Sequence, residues 1–377
     1  MMTSLHTTGR ISMAINYTWT NKPKPLAKPT EAQGVAFFRS LVKSGVLSVL
    51  ACYGWLRVRL SKKPTLLILT YHRILPADAP ERAAEQPGMV TSPQTLEDHI
   101  RFVRKLGAEP IHLSDWLDRN SQGKTLPRLS VAFTFDDGWQ DNYQYAYPAL
   151  KAQNAPATIF LVTQMIDTGK TFWPEQVLNL LTTQTIPEND PAFDWLRTHL
   201  PYGSTPGGNR PLSLLQADDI IARLKSLEDA TILEALEQVY TSHPDMAPTE
   251  PSRSILSGSE LTEMAQNGLV MYGAHTRHHY RLNRLKDEKT LKEEIVDCLQ
   301  DLKSLGEAAI PVFCYPNGDI TGKGENLVSD TYKAACTTKT GWNLAGCNPY
   351  DLHRFNLHDG NSHSTRTLLA TIGRGLL

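Results

Sequence analysis

The sequence predicts an α/β fold, a parallel sheet or barrel with a helical extension in front and a helical insertion in the middle. Three observations predict it. From Thr65 onward, short β-rich runs alternate with helix-like stretches, the order expected of βαβ units. Several of these runs are continuously apolar, as strands buried on both faces of a parallel sheet must be. With 377 residues, 41% hydrophobic and 20% charged, the chain can bury a sizeable core in one large domain.

Residues 1–34 are polar and rich in Lys, Pro and Thr, and are expected to be disordered. They contain no apolar run of the kind that marks a secretory signal. Residues 35–60 read as helix. Within it Val46–Trp55 is apolar but too short to cross a bilayer, with Arg39 and Lys43 before it and Arg57, Arg59, Lys62 and Lys63 after it. The expected role is an amphipathic helix packed on the main domain, with peripheral contact to an anionic membrane through residues 39–63 as the alternative. These pieces form an N-terminal region, 1–63, ahead of a domain spanning 64–377.

The expected strands are Thr65–Tyr71, Pro110–Leu113, Leu129–Phe135, Pro156–Val162, Leu269–Gly273, Pro311–Tyr315 and Lys333–Thr338. Helices are expected over Thr95–Leu106, Asn142–Gln153 and Lys289–Leu305. The rhythm breaks over roughly 165–255, which holds Trp173, Trp195, a Gly/Pro-rich linker at 201–211 and a long helix-like run, Leu212–Tyr240. That stretch reads as a helical insertion.

Composition excludes some classes of function. Lys plus Arg number 38 against 39 Asp plus Glu, so no basic excess points to nucleic acid. The five cysteines are scattered and form no CxxC pair, which fits neither a disulfide framework nor a zinc knuckle and leans towards a reducing compartment. The expected location is the cytoplasm or the cytoplasmic face of the membrane.

Two motifs carry chemistry. In Thr134-Phe135-Asp136-Asp137-Gly138, adjacent carboxylates stand at the C-terminal end of an apolar strand, where ligands gather in parallel α/β folds. At a strand-to-loop corner both can enter one cleft, and they repel unless a cation or a proton lies between them. The second, His275-Thr276-Arg277-His278-His279, also follows an apolar strand. One helical turn would align His275 and His279 as metal ligands, whereas Thr276 stands where a zinc peptidase carries its glutamate. Two histidines and a carboxylate suit catalytic zinc, and non-haem iron oxygenases use the same set. The second carboxylate favours hydrolysis, because the attacking water needs a base. Two further strand ends join them, Tyr71-His72-Arg73 and Tyr315-Pro316-Asn317-Gly318.

In this order the motifs resemble those of the polysaccharide deacetylases of carbohydrate esterase family 4, over about Thr65 to His358. The run Ala155–Leu161, with Asn142 and Pro148 before it, and Leu282 are similar to the family too. The resemblance implies a distorted (β/α)7 barrel, matching the seven strands read from the sequence. It implies Asp136 as catalytic base, and Asp137, His275 and His279 as ligands of a divalent metal, with Zn2+ expected. Thr276 would brace the histidine loop through its hydroxyl. The segment Phe313–Gly318 lacks the family's usual arginine and is similar to the branch acting on exopolysaccharides such as poly-N-acetylglucosamine. There Tyr71-His72 would deliver the general acid, and Leu357-His358-Asp359 is a second candidate that follows no convincing strand. The Asp-x-x-Asp-Trp motif is absent from the region of Thr340–Asn343, and Arg354 is a candidate to supply positive charge near Asp136. The backbone N–H of Tyr315 is the expected oxyanion donor.

The implied activity is metal-dependent removal of N-acetyl groups from an amino-sugar polysaccharide or oligosaccharide. Three alternatives stay open: a deacetylase of a lipid-linked sugar or small amide, a non-catalytic carbohydrate-binding descendant, and an iron oxygenase. The last leaves Asp136 unexplained.

Overall fold

The computed structural model describes residues 31–199, 210–247 and 254–375, with side chains from Phe38 onward. Most of the expected disordered segment and of the Gly/Pro-rich linker lies outside these residues. Helix α1 (Glu31–Leu60) begins before the expected start and includes residues 31–34. Compact units divide at Gly45 and Val46, and the second, Val46–Leu377, carries the barrel, the insertion and the cavity described below.

Six strands coincide with expected ones, displaced by at most two residues: β1 (Thr65–Tyr71), β2 (Leu129–Phe135), β3 (Ala157–Leu161), β4 (Val270–Ala274), β5 (Ala309–Cys314) and β6 (Ala334–Cys336). They lie side by side in chain order, all parallel. The seventh barrel position belongs to β7 (Phe355–Asn356), which pairs with β1 through Leu69–Phe355 and Thr70–Asn356. Just upstream, Leu352 bridges Cys336 of β6, so the segment 352–356 spans the gap between the two sheet edges. The result is a distorted α/β barrel.

The expected strand at Pro110–Leu113 shrinks to Glu109–Pro110, paired with Ser130 and Val131. Leu113 instead opens a helix, Leu113–Ser121, whose helically spaced Leu113, Trp116 and Leu117 are buried with Leu66, Ile68, Ala132 and Phe160. That cluster fills the barrel interior. Alternate residues such as Leu67, Leu69, Val131 and Phe133 join the larger core under the outer helices. Along β2 the pleat places Ala132 inside, with Thr134 and then Asp136 next in the same line.

The insertion has a core of its own. Trp173, Leu180, Ile220, Leu224, Ile232 and Val239 belong to one apolar cluster separate from the barrel's. The run expected as one helix divides into Leu214–Leu224 and Asp229–Ser242. The break has a physical reason. The Lys225 and Leu227 carbonyls turn out of the helix to accept from the guanidinium of Arg281, whose Nε lies 2.9 Å from Asp229.

Glycine permits one further close approach. The backbone of α1 crosses the C-terminal helix Thr365–Arg374 at Gly54 and Gly373, where a Cβ on either residue would strike the facing helix's backbone. Ala51, Gly54 and Val58 form the buried face of α1 here. Its opposite face is also apolar, so α1 is not amphipathic as expected. The apolar stretch Phe38–Leu60 spans 23 residues and is long and apolar enough to cross a membrane, in contrast to the ten-residue estimate from the sequence.

Candidate active site

A cavity of about 380 Å3 opens at the C-terminal ends of the strands. His72, Asp136, Asp137, His275, His279 and Arg354 all line it: His72 follows β1, the two aspartates follow β2, the two histidines follow β4, and Arg354 stands just before β7. Tyr315 lines it as well.

The corner after β2 separates the two aspartates. Asp136 keeps the inward direction of the pleat. Asp137 then takes φ 73° and Gly138 φ 76°, which swings the second carboxylate into the same cavity. A side chain at Gly138 would strain that φ and meet Leu161, so glycine is required there.

Each carboxylate has its own partners. Asp137 Oδ1 lies 3.4 Å from His275 Nε2 and 3.3 Å from His279 Nε2. Its Oδ2 accepts from Trp139 Nε1 at 2.9 Å. Asp136 Oδ1 accepts from Arg354 Nη1 at 2.7 Å, in a pair that is almost fully buried. Its Oδ2 lies 3.9 Å from His72 Nε2. Burial alone would raise both carboxyls. Around Asp136, Arg354 and then His275 and His72 outweigh burial and hold it below the usual range. Around Asp137, hydrogen bonding to His275 and His279 holds it far below.

The histidines are oriented by backbone. His275 Nδ1 meets the Cys314 carbonyl at 2.7 Å, which makes Nδ1 the protonated nitrogen and leaves the Nε2 lone pair facing Asp137. His275 and His279 do not share a helical turn. The segment 275–280 is a loop in which Thr276 and His279 adopt φ 64° and 63°, and these two left-handed residues bring the rings to a centroid distance of 5.0 Å. Thr276 does not brace the loop through its hydroxyl, which is buried without a hydrogen bond. The brace is backbone: the N–H groups of Thr163 and Gln164 donate to the carbonyls of Thr276 and Arg277. Buried Glu294 accepts from the N–H groups of Arg277 and His278.

These donors fit a divalent cation. Asp137 Oδ1 and the two Nε2 atoms lie within 4.8 Å of one another, and the remaining polar atoms of Asp137 and His275 are committed elsewhere. Three protein ligands leave positions for water and substrate.

Two expectations change. The Tyr315 N–H donates to the Cys336 carbonyl at 3.2 Å as part of the β5–β6 pairing, so it is not free for an oxyanion. His358, by contrast, does follow a strand, since β7 ends two residues earlier. It caps the helix Asp359–Ser362 through Nδ1, 3.2 Å from the Gly360 N–H, and is not among the residues lining the cavity.

Sequence reasoning missed three features. Trp139, which fixes Asp137, carries the guanidinium of Arg73 over its ring at 4.4 Å. Arg281, two residues past His279, joins Asp229 and Trp173 in a buried knot that fastens the insertion to the histidine loop. Glu175, at the start of an insertion helix, lines the cavity with Oε2 buried and unpaired. Burial, then Glu85 and Asp137, pushes its carboxyl up to about 8.

Comparison with known proteins finds sequence relatives and a likeness of fold. The family profile described as Polysaccharide deacetylase matches residues 123–186 and 236–333. Over 88 residues the chain is 32% identical to the poly-beta-1,6-N-acetyl-D-glucosamine N-deacetylase of Escherichia coli K12, covering 23% of this chain and 13% of that protein. Over 134 residues it is 30% identical to the Staphylococcus epidermidis protein of the same name, covering 34% of this chain and 45% of that one. The chain thus aligns with less than half the length of these relatives. The deacetylase PplD of Streptococcus pyogenes, solved in complex with acetate, superimposes with a TM-score of 0.53 at 19% identity, over 82% of this chain and 99% of that one. That likeness concerns the fold.

Proposed function

We propose that this chain carries a polysaccharide deacetylase domain and hydrolyses N-acetyl groups of an amino-sugar exopolysaccharide of the poly-N-acetylglucosamine type, releasing acetate. The observation that carries the reading is the division of labour between adjacent aspartates. One is turned to two imidazoles and the other to a buried guanidinium.

A divalent cation, for which we propose zinc, would be held by Asp137, His275 and His279 and would supply Lewis acidity and a lowered pKa for water. The protein's own groups do the rest. Asp136 stays ionised because Arg354 holds Oδ1, which leaves Oδ2 to take the proton of the attacking water. His72 Nε2 lies 3.9 Å from that Oδ2 and lines the same cavity. From there it gives a proton to the leaving amine, which is a poor leaving group until protonated. Trp139 and the Cys314 carbonyl keep Asp137 and His275 in fixed orientations.

The test is metal content together with acetate release from N-acetylated glucosamine oligomers. The wild type should hold about one divalent ion per chain and release acetate. Asp137→Ala should do neither, and Asp136→Asn should keep the ion and lose turnover. A wild-type protein that binds no divalent ion, or an Asp136→Asn variant working at full rate, would overturn the proposal.

A further inference from the structure

Among the described residues, every exposed large hydrophobic side chain except Leu215 lies between Phe38 and Leu60 of α1. The concentration is not a by-product of poor packing, because α1 is seated. Ala51 and Val58 are buried, Leu47 and Leu50 pack partly against the same core, and Gly54 meets Gly373 with no room for a side chain. Arg128 Nη1 also donates to the Val58 carbonyl at 2.6 Å. The opposite face is left bare. Val46 is 53% exposed, Val49 69%, Leu56 40% and Leu60 69%, with Tyr53 and Trp55 at 41% and 42%. A stable soluble domain rarely leaves such a contiguous apolar strip to water.

We infer that this outward face is a docking surface for an anionic lipid bilayer, on which it lies flat. Charge selects the occupant. Arg57, Arg59, Lys62 and Lys63 lie in or beside the strip, and the sequence has no Asp or Glu between Glu31 and Asp78. Against a second copy of the same helix, these cations would face one another with no carboxylate to separate them. Against anionic head groups each one is attractive, adding to the burial of the apolar strip. Trp55 and Tyr53 are the amphipathic rings that settle at head-group depth. The seat on the domain also decides between lying on a membrane and crossing it. With Ala51, Gly54 and Val58 covered by protein, this part of the helix cannot present its full circumference to hydrocarbon.

The experiment is flotation of the full, metal-loaded chain with vesicles of phosphatidylcholine alone or of phosphatidylcholine with phosphatidylglycerol, alongside light scattering without lipid. The chain should float with the anionic vesicles, stay behind with the neutral ones, and be released in part by high salt. Val49→Asp with Leu56→Asp should cut the bound fraction by about tenfold or more, with thermal stability unchanged because both positions are solvent-exposed. Arg57→Glu with Lys62→Glu and Lys63→Glu should do the same. Failure to float with anionic vesicles would overturn the inference. So would a lipid-free dimer that Val49→Asp dissociates, since the strip would then belong to a second copy. Neither readout depends on deacetylation, so this inference and the proposed activity fail separately.

Discussion

Replacing Arg354 with methionine isolates the electrostatic control of the proposed base. Arg354 Nη1 sits 2.7 Å from Asp136 Oδ1, and the two side chains are only 5% and 4% exposed. With charge centres about 4 Å apart and an effective dielectric near 20, the pair is worth roughly 4 kcal/mol, or about three pH units on the Asp136 carboxyl. His275 and His72 remain nearby and water will enter the vacated space, so the observed rise should fall between about one and three units. The acid limb of kcat/KM, read from acetate release across pH, should move upward by that amount, because it reports the free enzyme's base.

Stability gives a second readout of the same change. In the wild type Asp136 is held below its usual range, so its contribution is present above the unfolded carboxylate value and is lost as pH falls through the native one. In Arg354→Met, burial is no longer opposed by the guanidinium and the carboxyl rises. It then takes up a proton on folding, and its contribution falls as pH rises. At neutral pH the variant should lose about 3–5 kcal/mol by thermal or urea unfolding, the cost of orphaning one member of a buried pair. The loss should shrink in acid. An acid limb that stays in place, together with a stability loss independent of pH, would refute the coupling and leave Arg354 a packing residue.

Two further outcomes follow from the same geometry. His72→Gln should slow amide deacetylation by about 10²- to 10⁴-fold with metal content unchanged, and should slow an activated acetate ester far less, because an ester leaving group needs no proton; His358→Gln should match the wild type on both substrates. Glu175→Gln should remove a pH dependence of stability. Its native carboxyl is raised from 4.5 to about 8, so folding retains a proton across that interval and wild-type stability declines as pH rises through it. The decline attributable to this group is at most about 1.4 kcal/mol per pH unit, and parallel stability curves for wild type and variant from pH 5 to 9 would sink the assignment.

The sequence made the barrel legible where strands are continuous and apolar, and failed where an element is short or held from outside. Thr65–Tyr71 and Leu129–Phe135 were readable to the residue because every position is buried. Phe355–Asn356 was not, since two residues carry no periodicity and their pairing with β1 is nonlocal. The site residues were legible as a set of chemical types, while their geometry was not. A four-residue histidine spacing reads as a helical turn, yet the ligands are aligned by left-handed Thr276 and His279, a conformation costly for a β-branched residue and sustained by the loop's backbone bonds. Likewise the Tyr315 N–H looked available only because its partner strand lay outside local reasoning.

The insertion shows why the missing pieces bear on specificity more than on chemistry. The atoms proposed to handle the proton and the cation come from the barrel, and their residues were named from the sequence. Part of the cavity wall comes from Trp173, Pro174, Glu175 and Lys225, residues of a segment with its own core. A segment that folds on its own core could dock in many ways. It is held in one by the contact of Asp229 with Arg281, whose Nε donates at 2.9 Å and whose backbone N–H donates at 2.8 Å. Because Arg281 lies two residues beyond His279, the wall and the metal-ligating loop are fixed to the same point. A change that loosens this knot therefore shifts the wall and the loop together, and should alter which glycan fits before it alters how a bound acetyl group is cleaved.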